Sequence, residues 1–199
     1  MRRRISLFFG GSAGNEQLTA IVATLLLLLL AAEGATLLDL RALLTVHAFV
    51  GMLLIPPVAL KLASTGWRMT RYYFGGEEYV RRGPPHVVVR TIVAPVTVAS
   101  TVALFATGVA LLVLGQTHGT LVGLHKASFV VWFGATTVHV LARLWRLPAV
   151  LRLRAPGRAL RFGLATASLV AGLLVATATL PAADSLQDGM TGHIGLDGD

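Results

Sequence analysis

The sequence contains no cysteine and few charged residues. Because the chain has no thiolates, it cannot form disulfide bonds, iron–sulfur clusters or thiolate-ligated iron. A bound metal would therefore need histidine, methionine, carboxylate or backbone oxygen as ligands. Only 13% of the 199 residues are charged, against about 25% in soluble domains. The mean hydropathy is +0.73. This composition predicts an integral membrane protein.

Acidic residues are scarce: nine Asp and Glu face 17 Lys and Arg, for a net charge of +8. An excess of basic over acidic residues is also found in nucleic-acid-binding proteins. Here, however, the arginines lie in loops and flank apolar runs, which is typical of membrane topology. We therefore predict the lipid bilayer as a partner and no nucleic acid.

Five apolar stretches are long enough, or nearly so, to cross about 30 Å of hydrocarbon. They are residues 18–38, 42–64, 87–114, 121–144 and 160–180. The predicted fold is an all-α integral membrane bundle of about five transmembrane helices, forming one domain over residues 1–181. The polar loop 65–85 is expected to lie along the membrane surface, and residues 182–199 to form a short acidic tail outside the cytoplasm.

Nearly all arginines fall on one side of this predicted bundle. They precede the first stretch and fill the links between stretches two and three and between stretches four and five. The opposite side has Arg41 and the acidic tail. The positive-inside rule therefore predicts a multi-pass protein of the cell's inner (cytoplasmic) membrane, with the N-terminus in the cytoplasm and the C-terminus outside.

Two histidines, His125 and His139, lie fourteen residues apart in one apolar stretch. At about 100° and 1.5 Å per residue, they share one helix face and lie roughly 21 Å apart along the axis. Ionisable side chains are costly in hydrocarbon and need a partner. The spacing is that of two haems stacked across a bilayer, each taking an axial imidazole from the same helix.

A further histidine, His47, lies about one turn into the second stretch from the outside, at a depth that matches His125. A haem held between two imidazoles requires ligands at equal depth. Gly51, one turn below His47, would let a flat macrocycle approach the backbone. We predict His47 and His125 as the axial ligands of an outer haem b; the alternative is that each is a solvated interfacial side chain.

The partner of His139 is left open, because the residue fourteen beyond His47 is Lys61 rather than histidine. His86, at the cytoplasmic start of the third stretch, is one option, although a tight hairpin would leave it some 20 Å from His139 along the axis. Four roles for His139 are therefore open: to serve an inner haem with His86, to bind a quinone, to relay protons, or to pair with another helix or subunit.

Other charged side chains within the stretches have simpler interpretations. Arg90 shares a face with His86 and is placed to stabilise the negative charge of a haem propionate or a quinone, unless it snorkels to the surface. Lys61 is expected to snorkel. Glu33 is expected to reach the outer interface, with neutralisation of Arg41 and proton uptake as alternatives.

These residues resemble a known group. His47 with Gly51, the run Leu-His-Lys-Ala-Ser-Phe-Val-Val-Trp at 124–132, and then His139 are similar to the b-type membrane cytochromes of the cytochrome b561 and ferric-reductase-like four-helix group. The resemblance covers about residues 43–145 and implies haem b held between helices by paired histidines. The sequence departs from the two-haem pattern, since only one helix carries two well-placed histidines.

Two histidine ligands leave iron without an open position, which favours electron transfer over substrate chemistry. We expect a cytochrome with one haem b, or two, that carries electrons between a quinone pool and a separate redox protein or subunit. It would act as a membrane anchor rather than a stand-alone enzyme. The alternatives are a haem-free transporter or proton-path protein that uses His47, His125 and His139, and an anchor in which they satisfy helix–helix hydrogen bonds.

Overall fold

The computed structural model describes residues 11–81, 87–152 and 155–192, and these contain helices and no β-strand. The α-helices are α1 Gly11–Thr36, α2 Leu44–Tyr73, α3 Glu77–Val80, α4 Ala94–Leu114, α5 Thr120–Leu141, α6 Leu147–Leu151, α7 Arg158–Ala178 and α8 Leu180–Gly192. Five of them, α1, α2, α4, α5 and α7, are long and apolar enough to span a membrane. The predicted all-α bundle is confirmed.

Helix α2 is longer than the second apolar stretch, because residues 65–73 continue it instead of forming part of a separate surface segment. Pro56 and Pro57 lie inside the helix without ending it. The end comes just before Gly75, whose φ of +74° is a left-handed conformation that glycine adopts without steric cost. Of the predicted loop, only α3 forms a further short helix in the described residues.

Helix α2 lies at the centre of the bundle and packs against α1, α7 and α8, while α4 and α5 form a hairpin beside it. The main apolar core joins α1, α2 and α7, with Val22 and Leu54 almost completely buried. The closest approach is at Gly172 in α7, where a Cβ atom would overlap the carbonyl oxygen of Leu53. A glycine at this position allows the two helix backbones to touch.

The segment after the fifth span is not a simple tail, since Leu180–Gly192 forms helix α8. Ala183 and Leu186 of α8 are buried with Leu112 of α4, and the N-terminal end of α2 packs against them. Leu44 and Ala48 are part of that contact. Helix α8 therefore covers one end of the bundle, between α2 and α4.

Helix α5 is the peripheral member of the bundle. It packs along α4, and none of its 22 described residues is buried. Large apolar side chains such as Val130 and Phe133 are more than half exposed. A helix that exposes apolar residues in this way fits contact with lipid chains.

Candidate functional site

The imidazole rings of His47 and His125 lie side by side across the space between α2 and α5. His47 is in the first turn of α2 and His125 is in the second turn of α5. Their ring centroids are 6.5 Å apart, and the ring planes meet at 83°. The two residues that the sequence predicted at equal depth are thus brought together.

The tautomer of His47 is set by α1. Its Nδ1 lies 3.0 Å from Oε1 of Glu33 and 2.9 Å from Oγ1 of Thr36. The Thr36 hydroxyl donates its own proton to the Glu33 carbonyl oxygen at 2.6 Å. Both neighbours of Nδ1 are therefore acceptors, so Nδ1 carries the proton and, in the neutral ring, Nε2 keeps its lone pair.

The tautomer of His125 is set by α4 in the same way. Its Nδ1 lies 3.0 Å from Oγ1 of Thr107. Thr107 donates its proton to the carbonyl oxygen of Ala103 at 2.7 Å, so its oxygen accepts from Nδ1–H. In the neutral ring, Nε2 of His125 also keeps its lone pair. Metal-binding histidines are typically oriented by such a hydrogen bond from the second ring nitrogen.

The separation of the two ring centroids equals, within about 0.1 Å, that expected for two imidazoles that bind one metal ion. Metal–imidazole bonds are about 2.0–2.1 Å long and a ring nitrogen lies about 1.15 Å from its centroid, so two axial imidazoles have centroids roughly 6.4 Å apart. The value for His47 and His125 is 6.5 Å. In the described part of the chain, no group of three or more His, Asp or Glu could hold a metal ion alone. A pair of ligands fits a metal whose remaining ligands belong to a macrocycle.

Two glycines lie beside the histidine pair. A Cβ atom on Gly108 in α4 would come within 3.1 Å of Cε1 of His125, so this position favours glycine. Gly51, predicted to admit a macrocycle, lies against the carboxylate of Glu33, where a Cβ atom would be 3.6 Å from Oε1. A Cβ atom at that distance would be in ordinary van der Waals contact, so Glu33 does not require a glycine here, and the role of Gly51 toward a cofactor stays a prediction.

Helix α8 covers the N-terminal end of α2 next to His47. The amide of Thr45 donates a hydrogen bond to Oε1 of Gln187 at 3.2 Å, and the Thr45 hydroxyl donates to the carbonyl of Ala183. Leu186 is buried against this part of α2. Helix α8 therefore fixes the first turn of α2, which carries His47.

His139 lies on the same half-buried face of α5 as His125, but apart from the His47–His125 pair. Its Nδ1 and the hydroxyl of Thr136, one turn before it, are buried and have no hydrogen-bond partner in the described part of the chain. His86 falls outside the described residues. The backbone of Arg90 is in the π-helical turn Val89–Val93, and its side chain is not described.

Lys61 does not snorkel as expected. Its Nζ donates a hydrogen bond to the carbonyl oxygen of Thr19 in α1 at 2.8 Å. The positive charges of Arg143, Lys61 and Arg68 all act on the ring of His139. Beyond the span of α5, the pKa of Arg143 lies below its usual value, first because the guanidinium is desolvated and then because Arg68 is positive.

Sequence reasoning missed three residues that contact the histidine pair, Thr36, Thr107 and Gly108, and misplaced Glu33, which points to His47 rather than to the interface. Threonines in apolar helices commonly donate to the carbonyl four residues earlier, so their presence carries no signal of a second role. A glutamate within the first apolar stretch, fourteen residues before a histidine, was the one available sign.

Comparisons with family models, curated proteins and solved structures find no match to this chain. The resemblance to the b-type membrane cytochromes therefore stays a prediction, and the geometry of the histidine pair supplies the argument that follows.

Proposed function

We propose that this protein is a membrane cytochrome that holds one haem b between His47 and His125 and carries electrons between a quinone pool and a redox partner. The observation that carries the proposal is the histidine pair itself: two rings at 6.5 Å, each with Nδ1 engaged by an acceptor. Each of these Nδ1 contacts joins two helices, α2 to α1 at His47 and α5 to α4 at His125, and both place the proton on Nδ1, so Nε2 of each ring is the nitrogen that would bind the iron.

The residues around the pair have separable tasks. Glu33 and Thr36 hold the ring of His47, and Thr107 holds that of His125, so both rings are oriented before anything binds. The Glu33 carboxylate also makes His47 a stronger electron donor. A haem held by His47 and His125 would supply a one-electron couple, and with two histidine ligands it would leave no iron position open for substrate.

The electron partners follow from the surroundings of the bundle. The exposed apolar side chains of α5 favour exchange with a lipid-soluble carrier such as a quinone. At the other end, Asp184 and Asp188 of α8 offer an acidic surface to a separate redox protein or subunit. The arginine distribution favours the inner membrane, with the N-terminus in the cytoplasm and α8 outside.

The test is a dithionite-reduced minus air-oxidised visible spectrum of the detergent-purified protein, with haem measured per chain as the pyridine haemochrome. We expect the sharp α and Soret bands of a six-coordinate b haem and one haem per chain. His47→Ala and His125→Ala should each abolish them, while His118→Ala, in an exposed loop, should not. A colourless protein from haem-supplied cells would discard the proposal in favour of a transport or structural role.

A further inference from the structure

A second pair of side chains repeats the spacing of the first. His139 follows His125 by fourteen residues, and Lys61 follows His47 by the same fourteen. On two helices that run in the same direction, this places Lys61 and His139 in one layer, roughly 21 Å from the histidine pair along the axis. The charge of Lys61 acts on His139, in agreement with that placement. We call these two residues, with Thr136, the inner layer.

The inner layer is not a second bis-histidine site in the described part of the chain. A protonated lysine has three donors and no lone pair, so it is not an axial ligand. Lys61 is in addition held toward α1 by its hydrogen bond to the Thr19 carbonyl. One imidazole and one ammonium group therefore stand where two imidazoles would be needed.

The inner layer has hydrogen-bonding capacity that the protein does not use. Nδ1 of His139 and the hydroxyl oxygen of Thr136 are buried without a partner among the described residues. Lys61 has one hydrogen-bond acceptor for its three protons. Buried polar groups without partners are uncommon because each costs free energy, so these two unpartnered groups, in the layer of a lysine with unused donors, indicate a ligand that completes them.

The charge of the layer limits the kind of ligand. Lys61, Arg68 and Arg143 bring three positive charges near His139, while Glu16 is the acid that acts on Arg143. The excess is positive, which favours a ligand that accepts hydrogen bonds and gains negative charge on reduction. Two ring carbonyl oxygens on opposite sides of a flat molecule meet this requirement.

We infer that the inner layer binds the carbonyl headgroup of a quinone between Lys61 and His139. This inference rests on the proposed function and names its quinone site. The apolar surroundings favour a lipophilic quinone over a phosphate group, because Lys61 lies within the apolar stretch 42–64 and His139 within the stretch 121–144. The peripheral position of α5, with its exposed apolar side chains, gives such a molecule a lateral path from the bilayer.

The experiment titrates decylubiquinone, a short-chain quinone, into the haem-loaded, detergent-purified full chain and follows binding by isothermal titration calorimetry. Haem per chain is measured on the same samples. We expect Lys61→Met and His139→Leu to weaken binding by roughly tenfold or more, as for loss of a hydrogen bond to a charged or buried group, with haem unchanged at one per chain. Thr136→Val, which keeps the side-chain shape, should weaken it about threefold.

Arg158→Met and His118→Leu are the matched controls, since Arg158 is an exposed cation at the start of α7 and His118 is an exposed histidine. Both should bind quinone like the unmodified protein. The inference is overturned if Lys61→Met, His139→Leu and Thr136→Val all bind decylubiquinone with the affinity of the unmodified protein. The inference is also overturned if the protein holds a second haem that His139→Leu removes. It is overturned as well if Lys61→Met loses co-purified phospholipid phosphorus while its quinone affinity stays unchanged. A protein without haem contradicts the proposed function instead, and the titration still tests the inner layer.

Discussion

Oε1 of Glu33 lies 3.0 Å from Nδ1 of His47, and the second carboxylate oxygen of Glu33 is buried without a partner in the described part of the chain. Helix α1, which has no histidine among its described residues, thus contributes directly to the histidine pair. A carboxylate behind a histidine fixes the ring and raises the electron density on its other nitrogen. It also places a negative charge near the metal that the pair would hold.

The first prediction concerns this carboxylate. Glu33→Gln keeps the shape and an acceptor but removes the charge, so the reduced, less positive state of the haem should be favoured. We expect the midpoint potential to rise by about 60 mV, which corresponds to a tenfold change for a one-electron couple. The measurement is a spectroelectrochemical titration. Asp39→Asn, at an exposed carboxylate six residues on, should leave the potential in place; an unchanged potential in both variants would show that Glu33 does not act on the metal.

The second prediction concerns the other ring. Thr107→Val removes the acceptor of the His125 Nδ1–H while keeping the side-chain volume. We expect haem affinity to fall by about tenfold, the lower end of what such supporting hydrogen bonds contribute at metal sites. Competition for haem with apomyoglobin measures this. The control is Thr177→Val, an exposed threonine that bonds only to its own helix, and equal affinity in the two variants would contradict the role of Thr107.

The third prediction concerns the space beside His125. Gly108→Val places side-chain atoms where even a Cβ would be 3.1 Å from the ring, so the ring must move. We expect loss of most of the bound haem, or conversion of the six-coordinate spectrum to a five-coordinate one. Gly134→Val in α5, where a Cβ atom would meet nothing within 4 Å, should bind haem normally. A normal spectrum for Gly108→Val would mean that His125 has another position available.

The fourth prediction concerns the bundle rather than the site. Gly172→Ala forces α7 away from α2, because the new Cβ would overlap the Leu53 carbonyl. We expect the free energy of unfolding to fall by about 1–3 kcal/mol, as for overpacked cores. Gly163→Ala in the same helix has open space around it and should be neutral or stabilising by up to about 1 kcal/mol. Thermal unfolding in detergent compares the two, and equal melting temperatures would contradict the close packing.

The fold was largely predictable because hydropathy and helical periodicity are local properties of the sequence. The five spanning helices follow from apolar runs, and their ends differ from prediction where polar residues continue a helix, as at residues 65–73 of α2. Helix α8 was missed because its sequence is polar and its burial depends on contact with Leu112, which is far away along the chain. The common face of His125 and His139 was predictable from spacing alone.

The sequence by itself determined that this is an all-α membrane protein, how many spans it has, that cysteine ligands are absent, and that two histidines lie at matching depth. Only the tertiary structure decided which neighbours hold those histidines: Glu33 and Thr36 from α1, and Thr107 and Gly108 from α4. It also turned Lys61 toward α1, where its Nζ donates to the Thr19 carbonyl. The reason is physical: the faces of apolar helices look alike to hydropathy, and in lipid their arrangement depends on shape, small residues and hydrogen bonds between helices.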